Sequence, residues 1–297
     1  MKEQIDVEHL QWLTLDAIAA ALSAGEVVMD LYQETAEVEV KLKADSTPRT
    51  EADRKADDCI RNSLLRTFIP LLSEEGREVY YDERRDWDYF WLVDPLDGTK
   101  EFINTSGEFT INIALIENVE AIVGVVFVPV QQKLYYAVRG EGSFCVEKFG
   151  VQTHLEGVSW ADLQKQSQRL PRVKRGPTEW QQEFVVTTSR SHLAERTREY
   201  VKKLSSMFPK IREVECGSSY KMCMVAEGTA DLYPRVTATR EWDTAAGQAV
   251  VEMADMEVVD FTHFGRLYYN KESMVNPSFV VRPKFLTIPK LSQIEFE

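Results

Sequence analysis

Five apolar segments follow one another between residues 89 and 149, and they constrain the fold more than any other feature of the chain. In chain order they are YFWLV, FTINIALI, AIVGVVFVPV, KLYYAV and GSFCVEKF. All are rich in β-branched and aromatic residues, and short turns separate the last four. YFWLV is therefore predicted to be a buried strand that stops at Asp94-Pro95, and the segments after it a largely antiparallel meander.

Helical patterns precede this region. Residues 8–33 are rich in Ala, Leu and Glu, with apolar residues three and four apart, which predicts a helix. A second helix is predicted from Thr50 to Phe68, with Thr50 as its N-cap and Asp53 at its third position. Between the two helices, residues 37–43 alternate in the manner of a strand.

The second half of the chain alternates between strand and helix patterns. We expect strands at 183–188, 211–216 and 230–235, and helices at 193–206, 218–227 and 242–254. Such alternation is typical of α/β proteins. We therefore expect an N-terminal α+β half (1–157) that carries the acidic motifs, a polar and basic connection (158–182) and a C-terminal α/β half (183–297).

Charge and composition exclude several classes of function. The net charge of −13 argues against nucleic-acid binding, which needs a basic face. The four cysteines, Cys59, Cys145, Cys216 and Cys223, form no C-x-x-C pair, which argues against a disulfide framework and a zinc site and predicts a reducing, cytoplasmic location. Cys216 and Cys223 are expected in the core. No signal peptide and no apolar stretch of the ~20 residues that span a bilayer is expected.

Acidic residues stand beside turn residues at four places: Asp53, the pair Glu74 and Glu75, the pair Asp94 and Asp97, and Asp243. Since Pro95 cannot extend a strand ladder, a tight turn through Gly98 is expected to bring Asp97 back beside Asp94. Two carboxylates that close together require either a proton or a cation between them. Oxygen ligands without His or Cys favour Mg²⁺ over zinc.

Each acidic residue also has a purely structural interpretation. Asp94 and Asp97 are common turn formers, Glu74 and Glu75 could form a solvated loop, and Asp243 could cap the helix that follows it. Taken singly, the motifs leave both interpretations open.

Three separated motifs together resemble a known superfamily. They are SEE at 73–75, DPLDGTKEF at 94–102 and WDTAAG at 242–247, and their order resembles the Mg²⁺-dependent, lithium-sensitive phosphatases that include inositol monophosphatase. The resemblance extends from AGEVV at 24–28 to NPSFVV at 276–281. It implies an α/β (α+β) fold, arranged as a layered αβαβα sandwich.

Further segments resemble one group within that superfamily, the 3'(2'),5'-bisphosphate nucleotidases. Lys100-Glu101 stands where inositol monophosphatases usually have Thr-Asn. TTSRSH at 187–192 and GSSYKMCMVAEGTADLYPR at 217–235 are also similar to this group.

The resemblance implies a role for each matching residue. Two or three Mg²⁺ ions would be held by the Leu96 carbonyl and four carboxylates, those of Glu74, Asp94, Asp97 and Asp243. Thr99 would hold and polarise the attacking water with help from Asp53 or Glu74. The implied substrate-binding set is Glu74, Leu96, Asp97, Gly98, Thr99, Ser191, His192, Ser218, Lys221, Arg235 and Asp243.

Within that set, the resemblance separates three functions. The backbone of Gly98 and Thr99 would receive the scissile phosphate. The segment 217–221 and Arg235 would lie near the other phosphate of a nucleotide. Ser191 and His192 would lie near the sugar and base.

The resemblance implies hydrolysis of the 3'-phosphate of adenosine 3',5'-bisphosphate to AMP and phosphate, in the recycling of this nucleotide in sulfur metabolism, with inhibition by Li⁺. The related nucleotide 3'-phosphoadenosine 5'-phosphosulfate stays open as an alternative substrate. It also implies a monomer or a homodimer. A peripheral association with the inner membrane is known for this group, but the acidic composition gives it no support. Two alternatives stay open: a phosphatase for inositol phosphates or other small sugar phosphates, and a catalytically silent relative that binds a nucleotide or metal.

Overall fold

The structure is a computed structural model that describes residues 5–33, 41–42, 48–153, 157–191 and 194–291, with 41–42 and 48–49 described by their backbone alone. Its helices are α1 (Val7–Gln33), α2 (Glu51–Leu64), α3 (Tyr81–Arg84), α4 (Thr99–Ile103), α5 (Trp160–Gln166), α6 (Pro177–Gln182), α7 (Glu195–Leu204), α8 (Tyr220–Glu227) and α9 (Glu241–Glu252). Its strands are β1 (Lys41–Leu42), β2 (Pro48–Arg49), β3 (Leu71–Ser73), β4 (Tyr89–Asp97), β5 (Thr110–Glu117), β6 (Glu120–Val128), β7 (Lys133–Val138), β8 (Gly142–Glu147), β9 (Gln168–Arg169), β10 (Phe184–Ser189), β11 (Ile211–Cys216), β12 (Tyr233–Arg235), β13 (Thr239–Arg240), β14 (Met256–Asp260), β15 (Val275–Asn276) and β16 (Phe279–Pro283).

A large sheet with the order β3-β4-β5-β6-β7-β8-β9 forms the first half of the molecule. Only β3 and β4 pair in parallel, and each later neighbour pairs antiparallel, which confirms the predicted meander. Along β4, Trp91 and Val93 point to one face of the sheet, whereas Phe90 and Leu92 point to the other. Both faces are therefore buried, which explains the nearly continuous apolar runs in the sequence.

The long helices of the N-terminal region cover the first face of this sheet. Leu13, Ala17 and Ile18 of α1 and Ala56 and Ile60 of α2 are buried in one core cluster with the sheet. The first predicted helix is confirmed almost residue for residue. The second ends earlier than predicted, at Leu64, and a single 3₁₀ turn follows it. Of the predicted strand at 37–43, only Lys41 and Leu42 lie within the described residues, and they pair with β2.

Helices α8 and α9 pack on the second face, between the large sheet and a smaller one. The smaller sheet joins the antiparallel order β12-β16-β14 to the parallel pair β10-β11 through a bridge between Val186 and Leu232. Its outer face buries Trp180 of α6 and Tyr200 of α7. The molecule therefore has five layers: helices α1 and α2, the large sheet, helices α8 and α9, the smaller sheet, and helices α6 and α7. This order confirms the expected αβαβα sandwich.

Strand β4 does not stop at Asp94, and this part of the prediction was wrong. The ladder with β5 pairs Asp94 with Asn112, shifts its register, and pairs Asp97 with Thr110. Between these two pairs, β4 advances by three residues and β5 by two, so β4 contains one extra residue. This irregularity is a β-bulge, and it accommodates Pro95. A bulge re-aims side chains without ending the strand, so Asp97 is not brought back by a tight turn.

The connection at 158–182 also has more structure than its composition indicates. Helix α5, strand β9 and helix α6 all lie within it, and β9 adds an edge strand to the large sheet beside β8. Beyond residue 254, strands β14, β15 and β16 were not predicted. The predicted strand at 230–235 is reduced to β12.

Helix α1 is long and apolar enough to cross a membrane by length and composition alone, with a mean hydropathy of 1.4 over its most apolar window. This differs from the expectation that no apolar stretch approaches that length. However, 61% of the window is buried inside the fold, where it packs against α2 and the large sheet. A core helix of a water-soluble protein has the same two properties, so the apolar residues of α1 are explained by the core they form.

Candidate active site

A cavity of about 1090 Å³ opens where the large sheet, helix α4 and helix α9 meet. Its lining includes the residues after β3, the end of β4, the turn before α8 and the N-terminus of α9. Nearly all of the described residues in the predicted site belong to this lining. The described exceptions are Asp53, which bonds to Thr99 at the lining, and Ser191, which bonds to the lining residue Glu101. His192 lies outside the described residues.

Three carboxylates meet on the floor of the cavity. Oxygens of Glu74, Asp94 and Asp243 all lie within 4.8 Å of one another. Glu74 comes directly after β3, where its backbone N–H donates to the Val93 carbonyl at 3.1 Å, and Asp94 lies in the adjacent parallel strand. Asp243 reaches the same point from the third position of α9. Within the described residues this group consists of carboxylates with no His or Cys, which fits a hard divalent cation such as Mg²⁺.

The electrostatics of this cluster also fit a cation. Burial raises the pKa of the Asp243 carboxyl well above its usual range, and the negative charges of Asp97 and Glu74 raise it further. Burial likewise raises the pKa of Asp97, which the positive charge of Lys221 partly offsets. Bringing these groups together as anions therefore costs free energy, and a bound cation would offset that cost.

Asp97 is not a member of the three-carboxylate group that the described residues form. Its Oδ2 accepts hydrogen bonds from the Ser219 backbone N–H at 2.5 Å and from Asn112 Nδ2 at 3.3 Å. Asp97 adjoins this group as a negative charge that acts on Asp243. The Leu96 N–H donates to Asp94 Oδ1 at 3.1 Å, within the bulge.

Thr99 and Asp53 form a hydrogen-bonded pair beside the carboxylates. Thr99 Oγ1 donates to Asp53 Oδ1 at 3.2 Å. The other oxygen, Asp53 Oδ2, accepts from both the backbone N–H and the hydroxyl of Thr50, each at 2.6 Å. The predicted cap at the start of α2 is confirmed, and it holds the buried Asp53 carboxylate in one orientation. Gly98, with φ +94°, provides the left-handed backbone that starts α4 and places Thr99 at the cavity.

Lys221 holds a turn rather than projecting freely into the cavity. It is 2% exposed, and its Nζ donates to the Ser218 carbonyl at 2.7 Å and to the Cys216 carbonyl at 3.1 Å. An ammonium group has three donors, so one remains for a ligand. Cys216 and Cys223 are buried free thiols, which confirms their expected place in the core.

Three polar groups of the segment 235–242, which lines the cavity on the β12–α9 side, lack a hydrogen-bond partner among the described residues. They are Arg235 Nε, Thr237 Oγ1 and Trp242 Nε1, all buried atoms. An unsatisfied buried polar group costs about 1–3 kcal/mol, so each is a ready donor for a ligand with acceptor oxygens. Arg235 was predicted from the sequence, but Thr237 and Trp242 were not. Thr237 and Trp242 are close in sequence to Arg235 and Asp243, and this closeness is the one feature of the sequence that could have indicated them.

Sequence reasoning also missed the group that anchors the start of α9. Glu241 is fully buried and accepts hydrogen bonds from the Asn270 N–H at 2.7 Å, the Lys271 N–H at 3.0 Å and Lys271 Nζ at 2.5 Å. Arg84, also buried, donates to Asn270 Oδ1 at 2.8 Å. These bonds fix the helix terminus that carries Asp243. No sequence pattern connects residues so far apart.

Comparison with known proteins shows the family and the fold of this chain. The model of the inositol monophosphatase family matches residues 9–291. The 3'(2'),5'-bisphosphate nucleotidase CysQ of Escherichia coli (strain K12) is 40% identical over 266 residues, which cover 88% of this chain and 96% of that protein. The protein of the same name from Buchnera aphidicola is 39% identical over 259 residues, covering 86% of this chain and 87% of its own.

Solved structures agree as well. The crystal structure of CysQ from Bacteroides thetaiotaomicron, a bacterial member of the inositol monophosphatase family, is 42% identical, with a TM-score of 0.82 over 92% of this chain and 98% of that one. The extragenic suppressor protein suhB from Bartonella henselae shares the fold at 24% identity and a TM-score of 0.72, over 92% of this chain and 94% of its own. From its sequence, its layered fold and its acidic cavity, the chain belongs to the inositol monophosphatase family.

Proposed function

We propose that the protein is a Mg²⁺-dependent phosphatase that removes the 3'-phosphate of adenosine 3',5'-bisphosphate and releases AMP. One observation carries this proposal: a single cavity holds a cluster of three carboxylates, a Thr99–Asp53 pair beside it and, on another part of its wall, the unpartnered donors of Arg235, Thr237 and Trp242. A substrate with two phosphates suits such an arrangement. The names of the relatives at about 40% identity support the nucleotide class.

The carboxylates would hold two or three cations. Glu74, Asp94 and Asp243 would be direct ligands, and Asp97 and the Leu96 carbonyl would complete the set. When bound, a divalent cation supplies positive charge to the phosphoryl oxygens and lowers the pKa of a water. The family resemblance implies Li⁺ inhibition, which we include in the proposal.

The chain's own residues would orient the water and take its proton. Because the Thr99 hydroxyl donates to Asp53, its oxygen is left to accept a hydrogen bond from the water. Water attack on phosphorus forms one P–O bond and breaks the bond to the 3'-oxygen. The water's proton passes through Thr99 to Asp53, the 3'-oxygen takes up one proton from solvent as it leaves, and Asp53 then releases its proton to solvent. A positioned base of this kind contributes about 10²–10⁴-fold to the rate.

The remaining groups would hold the rest of the substrate. The Gly98 and Thr99 N–H groups would face the scissile phosphate. Arg235, Thr237 and Trp242 would bind the 5'-phosphate, with Lys221 nearby. Ser191 and His192 would border the nucleoside, and so would Ser218, which the resemblance by itself places near that phosphate. We also infer a cytoplasmic location, since the four cysteines are free.

Phosphate release from a small panel tests the proposal. The purified protein is given adenosine 3',5'-bisphosphate, AMP and inositol 1-phosphate, each with Mg²⁺, with EDTA and with Mg²⁺ plus Li⁺. We expect Mg²⁺-dependent release of one phosphate from the bisphosphate, abolished by EDTA and reduced by Li⁺. A preference for inositol 1-phosphate would support the sugar-phosphate alternative. If no substrate releases phosphate, the result would support the catalytically silent relative.

Asp97→Asn provides the matched variant for this assay. It keeps the shape of the side chain but removes one charge beside the cluster, so turnover should fall by on the order of a hundredfold or more. Asp162→Asn, on exposed helix α5, is the control and should behave as wild type. Near-normal turnover of Asp97→Asn would contradict the metal assignment.

A further inference from the structure

Two glutamates join three separate segments into one wall of the cavity. The segments are α4 with the loop that follows it, the residues 189–191 at the end of β10, and the turn 217–219 between β11 and α8. We call these three segments the polar wall. Glu101, Ser189 and Ser218 from the three segments all line the cavity.

Glu101 lies at the centre of the polar wall. It is 4% exposed, and its Oε1 accepts a hydrogen bond from Ser191 Oγ at 2.5 Å. A Cβ placed on Gly217 would come within 2.5 Å of Glu101 Cγ, and one placed on Gly98 within 3.2 Å of Glu101 Oε2. The glutamate therefore occupies space that two glycines leave open. A buried carboxylate is tolerated only with good donors, so Ser191 and Glu101 constrain each other.

Glu108 strengthens the same junction from the end of the α4 loop. Its two oxygens pair with Arg190 at 2.8 and 2.9 Å, and Oε2 also accepts from the Gly217 N–H at 3.0 Å. The Arg190 side chain is 43% exposed, so solvent weakens this pair relative to the buried bond of Glu101.

The polar wall is tied directly to the reaction centre. Within the turn 217–219, the Ser219 N–H donates to Asp97 Oδ2 at 2.5 Å, and Ser219 Oγ donates to Asn112 Oδ1 at 2.7 Å. On the other side, Glu101 follows Thr99 by two residues in α4. Any displacement of the polar wall therefore changes its distance from the carboxylates and from Thr99.

The chemistry of the polar wall suits a neutral part of a substrate. Its carboxylates repel phosphate, while its carboxylate and hydroxyl oxygens accept hydrogen bonds from hydroxyl and amino groups. Arg190 is paired with Glu108, and the exposed Lys100 is a second cationic side chain of the polar wall. The unpartnered donors of Arg235, Thr237 and Trp242 are instead on the β12–α9 side of the cavity.

We propose that Glu101 is a positioning and specificity-determining residue, which acts through Ser191 to hold the polar wall where the nucleoside of the substrate rests. This inference depends on the proposed nucleotidase function. A contact with the non-reacting part of a substrate changes KM, and it changes kcat only when it also aligns the reacting phosphate. Loss of the Glu101–Ser191 bond should therefore affect a nucleotide more than a phosphomonoester without a nucleoside.

The test compares Ser191→Ala, Glu101→Ala and the double variant on adenosine 3',5'-bisphosphate and on glycerol 2-phosphate, with Mg²⁺. Each single variant should raise KM for the nucleotide about tenfold, with a smaller change in kcat. Its kcat/KM for glycerol 2-phosphate should fall much less. Because the two side chains act as one unit, the double variant should lose no more than the more damaging single change. Glu195→Ala, a matched change at an exposed ion pair on α7, should leave all values unchanged.

Two outcomes separate the inference from the proposed function. If the wild type hydrolyses glycerol 2-phosphate but not the nucleotide, the proposed function fails and the inference with it. If the wild type hydrolyses the nucleotide, only the inference is at stake. It fails if kcat/KM of the variants falls equally for both substrates, or if it falls for neither. Thermal unfolding of each variant shows whether a loss of activity comes from misfolding. If a variant at Glu101 is misfolded, the kinetics of Ser191→Ala, the milder change, decide whether the inference holds.

Discussion

Single carboxylates do two tasks at once in this site. Asp53 and Asp243 each occupy the third position of a helix, and in each the Oδ2 atom accepts a backbone N–H at the helix start, from Thr50 at 2.6 Å and Arg240 at 2.9 Å. The second oxygen of Asp53 holds Thr99, and an oxygen of Asp243 joins the carboxylate cluster. Capping and site chemistry are therefore compatible roles, and capping supplies the fixed orientation that the chemistry needs.

Thr99 tests this arrangement at the scale of one side chain. Thr99→Ala removes the hydroxyl that bonds to Asp53, so kcat should fall about 10²–10⁴-fold with a small change in stability. Thr99→Ser keeps the hydroxyl and should recover most of the rate. Steady-state kinetics with the nucleotide measures both, and equal activity of the two variants would exclude the hydroxyl from the proton path.

Strand β4 and helix α9 position the cluster at the scale of elements. The bulge in β4 lies between Asp94 and Asp97, and Asp94 joins Glu74 and Asp243 in the three-carboxylate group. Helix α9 approaches the large sheet closely at Gly124, where a Cβ would come within 2.4 Å of the Ala246 carbonyl oxygen. This contact sets the height of α9, and hence of Asp243, above the sheet.

Gly124→Ala should therefore displace α9 from the sheet. Overpacking of this kind costs about 1–3 kcal/mol, measurable by chemical denaturation. Since Asp243 moves with the helix, the Mg²⁺ concentration needed for half-maximal activity should also rise. Gly265→Ala is the matched control, because a Cβ there meets no atom within 4 Å. An unchanged Mg²⁺ requirement in a destabilised Gly124→Ala protein would separate the packing of α9 from the metal site.

For the whole molecule, the carboxylate cluster lowers the free energy of unfolding when no cation is bound. The chain carries a net charge of −13, and the pKa values of Asp97 and Asp243 are raised by burial and by neighbouring carboxylates. The folded metal-free protein thus keeps protons that the unfolded chain, with a pKa near 3.8, has already released. Its stability should fall as the pH rises above 3.8 through these raised values.

A divalent cation should reverse this loss because it binds the charged carboxylates. The difference in Tm between Mg²⁺ and EDTA should be small at low pH and increase with pH over the same window. A cation at 100 times its Kd adds about 2.7 kcal/mol to the free energy of unfolding. Thermal scans at matched ionic strength measure the effect, and Asp243→Asn should reduce it. A Tm difference that is constant with pH would contradict the assigned cluster.

Much of the fold could be predicted from the sequence because it depends on near neighbours in the chain. Alternating β-branched residues predicted β5 to β8, and the three- and four-residue spacing predicted α1. Thr50 and Asp53 predicted their own capping contact, since both partners lie within one helical turn. The order of the acidic motifs was enough to identify the family.

The tertiary structure alone decided which groups meet. Local pattern connected Asp94 only with Asp97, whereas the pairing of β3 with β4 and the packing of α9 bring Glu74 and Asp243 to Asp94. The Glu101–Ser191 bond links residues 90 positions apart, which no periodicity encodes. The physical reason is the separation of the interacting residues along the chain. Turns, caps and strand periodicity depend on residues a few positions apart, whereas the cavity forms where separate layers pack and bring their polar ends together.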